Sequence, residues 1–250
     1  MSSHEALLLV GHGSARYSDA GTAMHRHAKS LRAGGRFGQV EVAVLNGALS
    51  VGDALAAISQ PIIRVVPFFM EEGYFSQVAV PRAIGAATSG DAGQSCRVIL
   101  CPPVGVHDGM AGIIERRALA ACGDCAIPSR TAAILVAGHG SATDPGRALA
   151  LHRHAARVAS TTLFARVEAA CLEEAPFVAH ALHGLRAHPV VVIGFFANQG
   201  GHVRDDMPAL IAAEQASRGD AGLLVRFDGS AIDDPAIALI ILSQATCVGD

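Results

Sequence analysis

The chain has 250 residues, 51% of them hydrophobic and 16% charged, with a net charge of −3. That composition supports a large buried core and excludes a disordered chain, and the near-neutral balance gives no electrostatic basis for binding nucleic acid. The longest apolar runs, such as residues 237–242, fall far short of a membrane span, and Met1-Ser2-Ser3-His4-Glu5 carries no signal-peptide pattern, so a cytoplasmic location is expected.

Apolar runs and helical patterns alternate along the chain. Residues 6–10 predict a strand, 19–31 a helix stopped by Gly34-Gly35, 40–45 a strand, 53–59 a short helix, 62–68 a strand, 75–87 a helix, 98–101 a strand and 107–121 a helix. The second half repeats this, with strands at 132–137, 165–172, 190–196 and 223–227 and helices at 147–159, 178–185, 202–216 and 235–246. Strands that are apolar throughout and separated by helices imply a parallel sheet covered on both faces. The join falls at 123–130, where Pro128 breaks any helix.

The repetition extends to individual residues. Gly11-His12-Gly13-Ser14 matches Gly138-His139-Gly140-Ser141, and at the same offset of 127 His25-Arg26-His27 falls on His152-Arg153-His154, Phe68-Phe69 on Phe195-Phe196 and Pro81 on Pro208. An internal duplication follows, with lobes at 1–125 and 126–250. Each lobe is expected to be α/β and flavodoxin-like, a four-stranded parallel sheet flanked by helices.

Such sheets bind ligands outside the carboxyl ends of their strands, where the strand order reverses. In the second half His139 closes the first strand, Glu173 and Glu174 close the second, and His202 follows the third. Two imidazoles and a carboxylate suit a divalent transition metal and leave coordination positions open. In the first half Asn46 stands at the place of Glu173 and Phe75 at that of His202. No complete metal site is therefore expected there, and the first lobe is expected to wall the opposite side of a ligand cleft, where His12, Ser14 and Arg16 can touch a ligand.

Several features admit two interpretations. Glu71-Glu72 offers a carboxylate or is a solvated pair. Phe68, Phe69, Phe195 and Phe196 wall a pocket or fill the core. Residues two apart on a helix point to different faces, so one histidine of each His-Arg-His is expected in solvent. His180, His183 and His188 form a surface cluster that either buffers metal or has no such role. Cys122-Gly123-Asp124-Cys125 holds a cluster or metal, or is a plain junction with reduced thiols.

Gly-His-Gly-Ser after a first strand, Leu172-Glu173, and Gly-Gly-His-Val-Arg-Asp-Asp-Met-Pro at 200–208 resemble the class II tetrapyrrole metal chelatases, as two fused chelatase-like copies. These are the sirohydrochlorin cobaltochelatases and ferrochelatases. The resemblance implies a lyase that inserts Fe2+ or Co2+ into sirohydrochlorin without ATP, for sirohaem or cobalamin, with the metal as substrate and no permanently bound cofactor. It also implies His139 and His202 as metal-site histidines and Glu173 as their acidic partner. Chemistry adds His139 as the proton acceptor, since two pyrrole protons must leave. For the substrate carboxylates Ser141, Arg147 and Arg204 are nominated, with His12 and Ser14 from the first half; each arginine equally suits a solvated role. The fused halves allow a monomer. A non-catalytic metal or tetrapyrrole carrier is the alternative.

Overall fold

Strand and helix alternate as the apolar pattern requires. The computed structural model describes residues 4–13, 21–88, 96–144, 146–198, 200–219 and 224–247, with the side chain of His202 outside that set. β1 (Glu5–Gly11) is followed by α1 (Thr22–Ala33), β2 (Gln39–Val44), α2 (Val51–Ala56), β3 (Ile62–Pro67), α3 (Val80–Thr88), β4 (Arg97–Leu100) and α4 (Met110–Asp124). The series then repeats as β5 (Ala133–Gly138), α5 (Leu149–Ser160), β6 (Arg166–Cys171), α6 (Val178–Gly184), β7 (Val190–Phe195), α7 (Met207–Arg218), β8 (Val225–Ser230) and α8 (Ile237–Cys247).

The strands form two four-stranded parallel sheets, ordered β2-β1-β3-β4 and β6-β5-β7-β8. On one face of the first sheet Ala6, Leu8 and Val10 pack with Ile63 and Val65 against Ala54 and Leu55 of α2 and Val80 and Ile84 of α3. Leu7 and Leu9 on the other face are fully buried as well, which is why β1 has no polar alternation. Ala133, Leu135 and Ala137 play the same part in the second sheet, packing with Val178 and Leu182 of α6 and Met207 and Ile211 of α7. Each buried leucine or isoleucine contributes about 1.5–3 kcal/mol.

The departures from the predicted elements have local causes. The helices expected at 75–87 and 202–216 each open with a π-helical turn, Phe75–Ala79 and His202–Asp206, before α3 and α7. A regular α-helix running on from residue 75 or 202 would need the N–H of residue 81 or 208 to reach the carbonyl four residues back, and Pro81 and Pro208 have none. α2 starts earlier than expected because Ser50 Oγ accepts from the Asp53 backbone N–H at 3.1 Å, an N-cap. Positions 19, 20 and 223, at the ends of a predicted helix and a predicted strand, lie outside the described residues.

The largest difference concerns the lobe boundary. The chain divides in space into Met1–His107 with Pro235–Asp250, and Asp108–Asp234, whereas the repeat places the join at 125/126. The reason is that the closing helix of each repeat serves the other sheet: α8 packs on α1 and β3, and α4 packs on α5, β7 and β8. Matched residues make the docking bonds. Arg116 pairs with Asp234 at 2.7 Å and Ser243 with His107 at 3.0 Å. Likewise Arg117 Nε donates to Asp228 Oδ2 at 3.0 Å, and Gln244 Nε2 donates to the Pro103 carbonyl at 2.8 Å. Residues 116 and 243, like 117 and 244, are 127 positions apart, so the exchange is itself duplicated.

Two glutamates anchor buried arginines. Burial alone would lift the Glu214 carboxyl, but hydrogen bonds and charge from Arg186 and Arg218 outweigh it and hold it below the usual glutamate range. Arg64 and Arg36 do the same for Glu5, and Arg64 Nη1 also donates to the buried Ala245 carbonyl of α8 at 2.9 Å.

Two predictions follow from this framework. Residues 1–125 expressed alone lack α8 and are expected to melt without cooperativity by circular dichroism, whereas 1–125 and 126–250 expressed together copurify; a cooperatively folded 1–125 fragment refutes the helix exchange. Because both glutamates are depressed in the folded state, their stabilisation is complete at neutral pH and is lost as pH falls below the ordinary glutamate range. The melting temperature is expected to drop in that acid window, and Glu214→Gln to flatten the drop.

Candidate functional site

His139 lies one residue beyond β5, and its position is set by backbone pairing that outlasts the strands. Leu172 N–H donates to the Gly138 carbonyl at 3.0 Å and Glu173 N–H to the His139 carbonyl at 2.9 Å. The two side chains therefore stand side by side, with His139 Nδ1 3.7 Å from Glu173 Oε2 and both nearly half exposed. That separation is too long for a hydrogen bond but short enough for the carboxylate to stabilise an imidazolium whenever the ring takes up a proton. Nδ1 also lies 3.0 Å from the Gly140 carbonyl, which can only accept, so the ring proton sits on Nδ1 and the lone pair on Nε2.

The next residues are held by a buried carboxylate. Gly140 has φ +72°, and a Cβ there would lie 2.6 Å from Glu174 Cγ and 2.7 Å from Cys171 Cβ. Glu174 is only 4% exposed and accepts from the backbone N–H of Ser141 at 3.3 Å and of Gly146 at 3.0 Å. The adjacent glutamates thus divide: Glu173 faces out beside His139, and Glu174 turns in to brace the loop. Within that loop Ser141 Oγ accepts from Asp144 N–H at 3.1 Å, and Arg147 pairs with Asp144 at 2.6 Å. Sequence alone places Glu174 beside Glu173 at the end of the second strand; the one sign of its separate part is Gly47 at the matched place, where the first half has no side chain.

His202 begins the π-helical turn after β7, and its side chain lies outside the described residues. Arg204, two residues on, is exposed, and its backbone N–H donates to the Gly200 carbonyl at 3.1 Å. Ser14 and Arg16 also lie outside the described residues. Among the described residues no three His, Cys, Asp or Glu side chains gather as a metal cluster.

The first unit reproduces the frame with different occupants. Leu45 N–H donates to the Gly11 carbonyl at 2.9 Å and Asn46 N–H to the His12 carbonyl at 3.0 Å. Gly13 has φ +79°, and a Cβ there would sit 2.0 Å from the Asn46 carbonyl oxygen. The His12 imidazole meets Phe75 edge-on, with ring centroids 4.4 Å apart, and its buried Nδ1 has no hydrogen-bond partner among the described residues.

The phenylalanine walls considered from sequence do not form. Phe68, Phe195 and Phe196 are buried core residues and Phe69 is partly covered. Among the described residues, the large aromatic side chains most exposed at these edges are Tyr74, Phe75 and, after β6, Phe177. His27 and His154 are buried while His25 and His152 face solvent, as helical spacing requires. His180 and His183 are exposed, and His188 Nδ1 lies 3.2 Å from the Thr131 carbonyl. Cys122 and Cys125 are free thiols, and burial, then the neighbouring Cys125, pushes the Cys122 thiol up, which disfavours the thiolate a metal would need. No described helix is long and apolar enough to cross a membrane.

A parallel sheet repeated within one chain, with a glycine-flanked histidine at the carboxyl end of each repeat's first strand, defines a two-lobed α/β protein. The family model described as CbiX matches residues 6–121 and again 133–239, and the chain belongs to the CbiX family. Over 221 residues it is 28% identical to a probable sirohydrochlorin cobaltochelatase of Halobacterium salinarum, an alignment covering 82% of this chain and 75% of that one. SirB from Bacillus subtilis, solved with Fe3+, has a similar fold, with a TM-score of 0.80, 17% identity and coverage of 98% and 94% of the two chains. DR2241 from Deinococcus radiodurans, described as a multi-domain protein with structural similarity to chelatases, superposes with a TM-score of 0.80 at 24% identity over 96% of this chain; the chain spans 54% of that protein.

The loop brace is open to direct measurement. Glu174→Gln keeps the size of the side chain but loses its charge-assisted acceptors, and is expected to cost about 1–3 kcal/mol in urea unfolding. Gly140→Ala is expected to cost at least as much. Unchanged midpoints in both would show that neither residue holds the loop.

Proposed function

We propose that the chain is a sirohydrochlorin metal chelatase, a lyase that inserts Fe2+ or Co2+ into the macrocycle without ATP. The observation that carries this is the half-exposed His139 imidazole, held with its Nε2 lone pair available and the Glu173 carboxylate 3.7 Å from Nδ1, in a chain of the CbiX family.

Metal insertion exchanges one divalent ion for two pyrrole protons. His139 Nε2 is a neutral nitrogen ligand of the kind that Fe2+ and Co2+ accept, and His202 is assigned as the second ligand. As the metal passes to the ring nitrogens, the vacated Nε2 lone pair takes one pyrrole proton, Glu173 balances the imidazolium that results, and the second pyrrole proton leaves to solvent water at this half-exposed edge. A half-exposed site binds the ion loosely enough to release it. Arg147, Arg204 and Ser141 are assigned to the substrate carboxylates. Imidazole and carboxylate serve both ions, so selection between iron and cobalt falls to geometry and availability.

The test is anaerobic mixing of excess sirohydrochlorin and Fe2+ or Co2+ with substoichiometric protein, followed by absorption. The intact chain is expected to turn over many equivalents, His139→Ala to lose at least ~100-fold in rate and Glu173→Gln about tenfold. An unchanged rate in His139→Ala removes the mechanism. Conversion limited to one equivalent per chain identifies a carrier.

A further inference from the structure

At the carboxyl edge of β1 and β3, where the second unit places His139 and the His202 turn, the first unit presents aromatic rings. Phe75 stacks parallel on Phe69, with centroids 5.9 Å apart and planes 3° apart, and takes the edges of His12 at 4.4 Å and Tyr74 at 5.6 Å. Tyr74 is 62% exposed and Phe75 41% exposed. Rings left in solvent forgo the burial that ordinarily stabilises them, and a contiguous exposed group of this kind marks a binding surface.

His12 supports a ligand other than a metal. Its buried Nδ1 has no partner among the described residues, and an orphaned lone pair costs less than an orphaned N–H, so the ring proton belongs on Nε2. That is the opposite tautomer from His139, and it withholds the lone pair a metal would take. The frame of the metal edge is thus retained while Phe75 covers the imidazole.

We propose that Tyr74 and Phe75, backed by Phe69 and His12, form a stacking surface for the flat face of a tetrapyrrole, a role in ring recognition that rests on the chelatase assignment. Glu71 and Glu72 lie beside this surface, and Gln77 Nε2 reaches Glu72 Oε2 at 3.4 Å. Carboxylates there repel a polycarboxylate rim, so the surface reads the ring plane and leaves the rim to cations elsewhere.

The chain has no tryptophan and two tyrosines, so Tyr17→Phe leaves Tyr74 as the sole tyrosine emitter. In that background, metal-free sirohydrochlorin is expected to quench Tyr74 emission saturably. Phe75→Ala is expected to raise Kd about tenfold, and Phe75→Tyr to leave it within about twofold. Tyr74→Ala, followed through ligand absorption, is expected to weaken binding similarly. The loss should be the same at low and high salt, because it lies in stacking. Co2+ binding at the second unit should not change in the Phe75 variants; Phe75→Tyr should keep the melting temperature, while Phe75→Ala gives up its contacts with Phe69 and His12 and is expected to lower it. Wild-type Kd in both Phe75→Ala and Tyr74→Ala overturns the proposal. His139→Ala separates the two assignments: it should keep ring binding while losing insertion. If it inserts metal normally, the catalytic assignment fails and the stacking surface stands on its binding data. A chain that takes up no sirohydrochlorin overturns both.

Discussion

The site depends on two backbone hydrogen bonds made after the strands have ended. By continuing the β5–β6 ladder one step past Cys171, the Leu172 and Glu173 amides fix the carbonyls of Gly138 and His139. The imidazole and the carboxylate are then neighbours by register, and their separation is set by the sheet rather than by side-chain chance. Everything around that pair protects the register. Gly140 takes a positive φ where a Cβ would strike Glu174, and Glu174, sealed from solvent, ties the loop's amides back to the β6 side. A rigid sheet edge is what lets a half-exposed histidine keep a defined tautomer.

Much of this was legible in the residues. The apolar runs and their spacing give the eight strands and eight helices among the described residues, because both faces of each sheet are buried and the signal is strong. The Gly-His-Gly motif marks the carboxyl edge of each sheet, because a sharp turn at a strand end needs a residue that tolerates positive φ. What escaped is non-local or concerns direction. Nothing in the spacing of α4 and α8 tells which sheet each covers, since an amphipathic helix carries no address. Glu173 and Glu174 are chemically identical and one residue apart, so only the fold assigns one to solvent and the other to the loop. By position the phenylalanines suit a pocket wall or the core alike; Phe68, Phe195 and Phe196 end on an inward face and join the core, and exposed rings stand at Tyr74 and Phe75 at the next turn.

On the assignments proposed above, little separates a metal edge from a ring-binding one. Both halves keep the extended ladder, the positive-φ glycine and the histidine. Replacing a carboxylate by Asn46 and an imidazole by Phe75 removes charge and lone pairs together, and the remaining histidine is covered by an aromatic edge. Because the frame is carried by backbone and glycine, the side chains mounted on it can diverge with little cost to the fold.

The exchanged helices impose an order on the making of the molecule. The first unit has all its strands once residue 100 has been translated, but α8, which covers part of that sheet and receives the Arg64 guanidinium, is drawn from the far end of the chain. A nascent chain therefore carries an uncovered patch of β3 through the synthesis of the whole second unit, during which its arginine has no carbonyl of Ala245 to meet. The unit begun first is the one finished last, and the interval exposes apolar sheet to chaperones and to neighbouring chains for the length of translation.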